Sequence, residues 1–233
     1  RDQHLPALAH SDDFVLAATV DPLGAQIGDT PHFATLEALL AHGPHIDAAA
    51  LCTPPQVRFP LAIQALNAGL HVLLEKPPGA SLSEVAMIED AARRANKSLF
   101  ATWHSRFACG VAPARDWLLD RTVQAVSIRW REDVRKWHPG QAWIWEPGGL
   151  GVFDPGINAL SIATYILPRP IRLEAARLVY PTNRQAPIAA ELSLRDAAGS
   201  PVHMDLDWRQ EGPQSWDIEV ETDAGLLALA NGG

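Results

Sequence analysis

The sequence of 233 residues predicts an α/β chain: a Rossmann-like, doubly wound parallel sheet followed by an α+β domain with an open antiparallel sheet. Two observations carry this expectation. Over residues 1–102, short apolar runs alternate with helical patterns, the grammar of strand–helix–strand units whose strands are buried on both faces. From Val123 onward the strand-like segments instead alternate apolar and polar residues, as in a sheet with one solvated face. All eight Trp lie between Trp103 and Trp216, so the two halves also differ in composition.

In the first half, Phe14–Val20 reads as a buried strand and Thr35–Ala41 as a short helix. Ile46–Cys52 is a second strand, and Gln56–Ala68 carries apolar residues at helical spacing. His71–Leu74 reads as a strand. Ser81–Ala95 reads as a helix whose Ser81 and Glu84 form a capping box, and Leu99–Thr102 closes the series. In the second half Val123–Arg131, Ile171–Val179, Ala189–Leu194, Val202–Trp208 and Trp216–Glu221 read as strands. Leu226–Leu229 is strand-like as well, and one apolar helix spans about Phe153–Leu167, ended by Pro168. The boundary falls near residue 103, giving an expected dinucleotide-binding domain at 1–103 and a substrate-binding and oligomerisation domain at 104–233.

Composition narrows the function classes. Nineteen Lys and Arg against 27 Asp and Glu give a net charge of −8, which argues against nucleic acid or an anionic membrane as partner. No apolar run has the length of a membrane span, and no leader-like segment opens the chain, so a cytoplasmic protein is expected. Cys52 and Cys109 have no metal-ligand spacing, and no metal is expected. The chain opens without Met and ends on the turn Asn231-Gly232-Gly233, so it reads as a fragment.

Ligands of open parallel sheets bind beyond the carboxyl ends of the strands, so the residues just after each strand are the informative ones. Asp21 follows the first strand and can accept hydrogen bonds from both ribose hydroxyls of an adenine dinucleotide while repelling a 2′-phosphate. Read alone, it is also an ordinary Asp opening a turn before Pro22. Thr53-Pro54-Pro55 ends the next strand, and Glu75-Lys76-Pro77-Pro78 the one after; a Lys fixed by prolines can project an ammonium into a cleft. No glycine-rich loop precedes the first helix, which suits truncation better than a different fold. In the second half, Asp154 and Asn158 share a helix face, and Gly148, Gly149 and Gly151 allow close approach to that helix start. A carboxylate beside an amide suits binding and deprotonating a hydroxyl. Trp137, Trp143, Trp145 and Trp216 amid His and carboxylates suit a sugar site as well as a core, and His104 lies directly after the last parallel strand.

Glu75-Lys76-Pro77-Pro78 together with Gly148–Asn158 resembles the Gfo/Idh/MocA family of nicotinamide-dependent sugar oxidoreductases. Ala101–Arg106, Trp137-His138-Pro139-Gly140-Gln141 and Trp143–Ile162 are similar to its branch acting on L-arabinose and D-galactose at C1. The resemblance covers nearly the whole chain. It implies a Rossmann domain whose first strand and Gly-rich loop are missing ahead of Arg1–Leu8, and an incomplete C-terminal end. It implies Lys76 and Asp154 as catalytic residues, with Asn158 where many members carry His. It implies Asp21, Thr53, Pro54, Glu75 and Lys76 as cofactor-binding and His104, Glu132, His138 and Trp216 as sugar contacts. The expected activity is oxidation of an aldose to the aldonolactone with NAD or NADP, NAD being favoured by Asp21, in a homo-oligomer formed through the C-terminal sheet. The alternatives are a relative oxidising another polyol or a dihydrodiol, and a non-catalytic dinucleotide-binding sensor. Without the missing segments, the fragment itself is expected to be inactive.

Overall fold

The computed structural model describes residues 3–24 and 26–233, so Arg1 and Asp2 of the opening stretch lie outside the described residues. The chain divides into two compact units. One takes the residues up to Thr53 with Val57–Leu74 and Leu82–Phe100; the other takes Pro54–Gln56, Glu75–Ser81 and Ala101–Gly233. Where the sequence suggests one cut near residue 103, the turns that follow two of the parallel strands already group with the second unit.

The first unit runs α1 (His4–Ala9), β1 (Thr19–Val20), β2 (His32–Phe33), α2 (Leu36–His42), β3 (Ala48–Leu51), α3 (Pro55–Asn67), β4 (His71–Leu74), α4 (Leu82–Ala95) and β5 (Leu99–Ala101). Thr35 starts α2 by accepting the Ala38 N–H at 3.2 Å, a side-chain cap for an otherwise orphaned donor. β3 and β4 pair in parallel, Ala48 opposite His71 through Leu51 opposite Leu74, with β5 on the far side of β4. Leu51, Ala62, Leu66, Val72, Leu74 and Ile88 form the buried core of this Rossmann-like unit. β1 and β2 make a separate parallel pair.

The expected strand Phe14–Val20 is corrected here to two residues. A strand persists only where a neighbour takes its backbone groups. The Thr19 N–H finds Pro31 O at 2.9 Å and the Asp21 N–H finds Phe33 O at 3.1 Å. Residues 14–18 pair with no strand among the described residues, and Phe14 and Val15 stand 62% and 91% exposed.

The second unit contains α5 (Val111–Leu118), β6 (Val123–Arg131), α6 (Val134–Trp137), α7 (Phe153–Ile166), β7 (Ile171–Val179), β8 (Ala189–Asp196), β9 (Pro201–Asp207), β10 (Ser215–Thr222) and β11 (Gly225–Leu229). Its sheet has the order β11-β10-β6-β9-β8-β7. The expected antiparallel sheet is in fact mixed, because β6 and β9 run parallel, Val126 opposite Val202. The long excursion through α7, β7 and β8 that separates them permits this, since parallel neighbours need a crossover. One face of the sheet buries Val126, Ile128, Leu192, Met204, Leu206, Ile218 and Val220 with Ile162 and Ala163 of α7. Alternate residues such as Arg129, Glu191, His203 and Glu219 are exposed, which gives the period-two pattern read in the sequence.

α7 lies close on β9: a methyl group added at Gly156 would sit 2.6 Å from Leu206 Cδ1. Gly156→Val is expected to lower unfolding stability by about 1–3 kcal/mol through overpacking. Urea titration checks this, and an unchanged midpoint would contradict the packing.

Candidate active site

Lys76 stands two residues beyond β4, and its backbone is pinned by Glu75, whose Oε2 accepts the Lys76 N–H at 3.1 Å and the Thr102 hydroxyl at 2.8 Å. From there Lys76 Nζ donates to both the backbone carbonyl and Oδ2 of Asp154, each at 2.9 Å. Both side chains are largely removed from water, at 15% and 6% exposure, so the pairing compensates for desolvating an ammonium and a carboxylate.

Asp154 sits in the first turn of α7, within the helix rather than at its N-cap, which is Val152. The turn leading into it is crowded by backbone. A Cβ at Gly149 would lie 2.1 Å from Trp143 O, and one at Gly151, where φ is +53°, would lie 2.3 Å from Pro187 O. Only glycine fits at either place, and the resulting turn aims the start of α7 at Lys76.

His138 follows α6 and brings Nε2 to 3.5 Å from Asp154 Oδ2, with Nδ1 3.2 Å from Gln141 Oε1. Asp154 Oδ2 therefore faces the Lys76 ammonium and the His138 imidazole, while Oδ1 has no hydrogen-bond partner among the described residues. Asn158 lies one turn further along α7, and its side-chain amide likewise has no partner among the described residues.

Glu132, at the end of β6, is a second buried carboxylate, 4% exposed. Trp208 Nε1 donates to its Oε1 at 3.1 Å and Trp216 Nε1 to its Oε2 at 3.0 Å. Burial pushes the Glu132 carboxyl above its ordinary pKa; the two indole N–H groups and His138 oppose this, and Asp154 reinforces it. Trp216 stacks on Trp130 at 5.9 Å between centroids and meets Trp137 at 5.5 Å. His104, on the 3-10 turn after β5, has its pKa lowered by partial burial and by the Lys76 ammonium, against the pull of Glu75 and Asp154.

The second unit thus brings together Lys76, Glu75, Asp154, Asn158, His104, Glu132, His138 and Trp216. Lys76 and His138 meet at Asp154, and the field of Asp154 reaches Glu132 and His104. A carboxylate oxygen open beside an ammonium can take a hydroxyl proton while the ammonium stabilises the oxyanion left behind.

The remaining sequence-identified residues belong to or border the first unit. Asp21 is exposed just after β1, and its Oδ1 accepts the Leu23 N–H at 2.8 Å, so it closes the turn at Pro22. Thr53 follows β3; its carbonyl accepts from Arg58, while its Oγ1 is buried with no partner among the described residues. Pro54 begins the short segment that groups with the second unit. An exposed carboxylate and an orphaned buried hydroxyl beyond parallel strand ends fit a dinucleotide with free ribose hydroxyls.

Trp208 has no role in the reading of the sequence as a sugar site, where it is only the end of a strand, and Gln141 enters there only as part of the Trp137–Gln141 motif. A Trp closing an apolar strand reads as core. The available signal is its N–H, a buried donor that must find an acceptor.

The family described as the oxidoreductase family with an NAD-binding Rossmann fold, Gfo/Idh/MocA, matches residues 1–102. Galactose 1-dehydrogenase of Pseudomonas fluorescens is 47% identical over 233 residues, all of this chain and 75% of that protein. The crystal structure of D-galactose-1-dehydrogenase from Rhizobium etli superposes with a TM-score of 0.94 at 55% identity, covering all of this chain and 75% of the other. WlbA dehydrogenase of Bordetella pertussis, solved with NADH and UDP-GlcNAcA, shares the fold at 17% identity with a TM-score of 0.87, over 100% and 71% of the two chains. With a buried lysine–aspartate pair in place and relatives this similar along its whole length, the chain belongs to the Gfo/Idh/MocA family of oxidoreductases.

Proposed function

We propose that this protein oxidises an aldose of the L-arabinose or D-galactose type at C1, giving the aldonolactone with NAD or NADP as oxidant. The observation that carries the reading is Asp154, whose Oδ2 is engaged by Lys76 and faced by His138 while Oδ1 has no partner among the described residues. The names of the galactose dehydrogenases from Pseudomonas fluorescens and Rhizobium etli support the substrate class.

In this reading Asp154 Oδ1 takes the anomeric hydroxyl proton. Lys76 remains a cation and stabilises the developing alkoxide. Asn158, one turn along the same helix face, holds the hydroxyl in line. His104, Glu132, His138 and Trp216 bind the remaining hydroxyls and the flat face of the ring. Asp21 with Thr53 and Pro54 would hold the dinucleotide, and Glu75 would order the Lys76 turn. The nicotinamide, when bound, supplies the hydride acceptor for C1. The reading also includes a cytoplasmic homo-oligomer formed through the second unit's sheet, whose outer face is open and bears Arg129, Glu191 and His203.

The test is absorbance at 340 nm with the full-length protein, NAD and NADP separately, across a panel of aldoses. Lactone formation from L-arabinose or D-galactose is the expected result. Silence on every aldose, with dinucleotide still bound, would sink the reading in favour of another polyol or a sensor. Asp154→Ala is expected to lower turnover at saturating sugar by roughly 10²–10⁴-fold, the usual contribution of a positioned base; unchanged turnover would remove Asp154 from the mechanism.

Cofactor choice gives a separate prediction. An acidic side chain at the ribose favours NAD by accepting hydroxyl hydrogen bonds and repelling a 2′-phosphate. Asp21→Ser is expected to shift the kcat/KM ratio toward NADP by about tenfold or more, equivalent to about 1.4 kcal/mol. A wild-type protein that uses NADP at least as well as NAD would contradict this assignment of Asp21.

A further inference from the structure

We infer that Trp208 is a positioning residue, holding the Glu132 carboxylate and the His138 ring in the poses that receive the sugar. The inference rests on the aldose reading above and adds to it a residue outside the sugar contacts.

The geometry begins with β9, where Val202, Met204 and Leu206 face the core; Trp208 continues that face one residue past the strand. Its backbone is tied on both sides: its N–H donates to Ile188 O at 3.0 Å and its carbonyl accepts the Val134 N–H at 3.1 Å. Val134 opens α6, and its own carbonyl accepts the His138 N–H at 2.8 Å, so two successive hydrogen bonds link Trp208 to the turn that carries His138. The indole is 1% exposed, too deep to be a direct sugar-stacking surface. Its ring lies 5.2 Å from the His138 ring and 5.3 Å from Trp145, the latter edge-on, so the imidazole packs against a fixed wall.

The chemistry follows from what an indole can do. Nε1–H only donates, so it favours the carboxylate form of Glu132 and offers no acceptor to the O–H of a protonated acid. With Trp216 on the other oxygen, both carboxylate oxygens are oriented, and their remaining lone pairs are available to accept from incoming O–H groups. The ionisable groups facing Glu132 are His138 and Asp154, with Lys76 behind Asp154. Burial already raises the Glu132 carboxyl, so removing one of two N–H donors raises it further.

The experiment replaces Trp208 in the full-length protein with benzothienylalanine, which keeps the bicyclic shape and substitutes sulfur for N–H; Trp208→Phe is the encoded companion. Two readouts are taken. Carbon-13 NMR titration of labelled glutamate, with Glu132 assigned by its loss in Glu132→Gln, reads the clamp without any sugar. Steady-state kinetics with D-galactose and NAD read its use. The Glu132 titration should move to higher pH. KM for D-galactose should rise roughly tenfold or more, as for one lost hydrogen bond to a charged group, with kcat changed much less. The acidic limb of kcat/KM should move up in step. In a Glu132→Gln background the same replacement should cost far less.

An unmoved Glu132 titration in the folded benzothienylalanine protein would overturn the clamp. An equal cost in the Glu132→Gln background would show a merely structural indole and overturn the positioning role. A moved titration with unchanged KM would overturn the sugar-binding role alone. Silence of the wild-type protein on all aldoses would instead remove the function reading, and the sugar-binding role with it, while leaving the titration to judge the clamp.

Discussion

Lys76 gives two hydrogen bonds to a single residue, one to the carbonyl and one to the carboxylate of Asp154. An ammonium and a carboxylate at this depth are costly to bury unless they meet with good geometry. Everything that fixes either partner therefore bears on the site. Glu75 and Thr102 tie down the backbone at Lys76, and Pro77 follows at once. On the other side, Gly149 and Gly151 let the chain pass against Trp143 and Pro187 so that α7 starts where its second residue reaches the lysine. A side chain at either glycine would have to move backbone, and the helix start would move with it. Site geometry is thus a consequence of turn sterics as much as of the charged pair.

Asp154 and Glu132, two buried carboxylates of the second unit, are held by different chemistry, and this separates what they can do. Asp154 faces an ammonium and an imidazole through Oδ2 and leaves Oδ1 open, an arrangement for moving a proton. Glu132 is held by two uncharged indoles, one donating to each oxygen. Its carboxyl is raised by burial, yet its hydrogen bonds favour the anion, so it is suited to accepting hydroxyl groups rather than to shuttling a proton. Two carboxylates of one site acquire distinct roles through their surroundings, as in other paired-carboxylate sites.

Much of the fold was legible because local pattern and tertiary environment agree. β4, β6 and β7 begin and end where the apolar patterns do, since each has a neighbour that uses the whole segment. Phe14–Val20 shows the opposite case: an apolar run has strand propensity, but only Thr19–Val20 finds a partner in β2. The parallel β6–β9 pair was illegible for a different reason, because alternation reports which face is buried and not which strand lies alongside. At the site, spacing revealed that Asp154 and Asn158 share a face, but not that Lys76, 78 residues earlier, meets Asp154. That association entered through the resemblance of whole motifs. Trp208 carries no distinguishing signal in the sequence because burial is the default for Trp, and only the acceptor across the sheet distinguishes a clamp from a core residue.

The residue at position 158 raises a final point about reading sites by offset. The resemblance sets Asn158 where many relatives place a histidine on the turn after the aspartate, which suggests a carboxylate without an imidazole beside it. In this fold the imidazole arrives from another element: His138, following α6, comes within 3.5 Å of Asp154 Oδ2. Proton chemistry responds to distance and orientation, not to the number of residues between two groups. With an amide at the helix position, an imidazole still faces the carboxylate. The pattern of residues along α7 and the set of groups around Asp154 are therefore separate quantities, and only the second bears on what the aspartate can do.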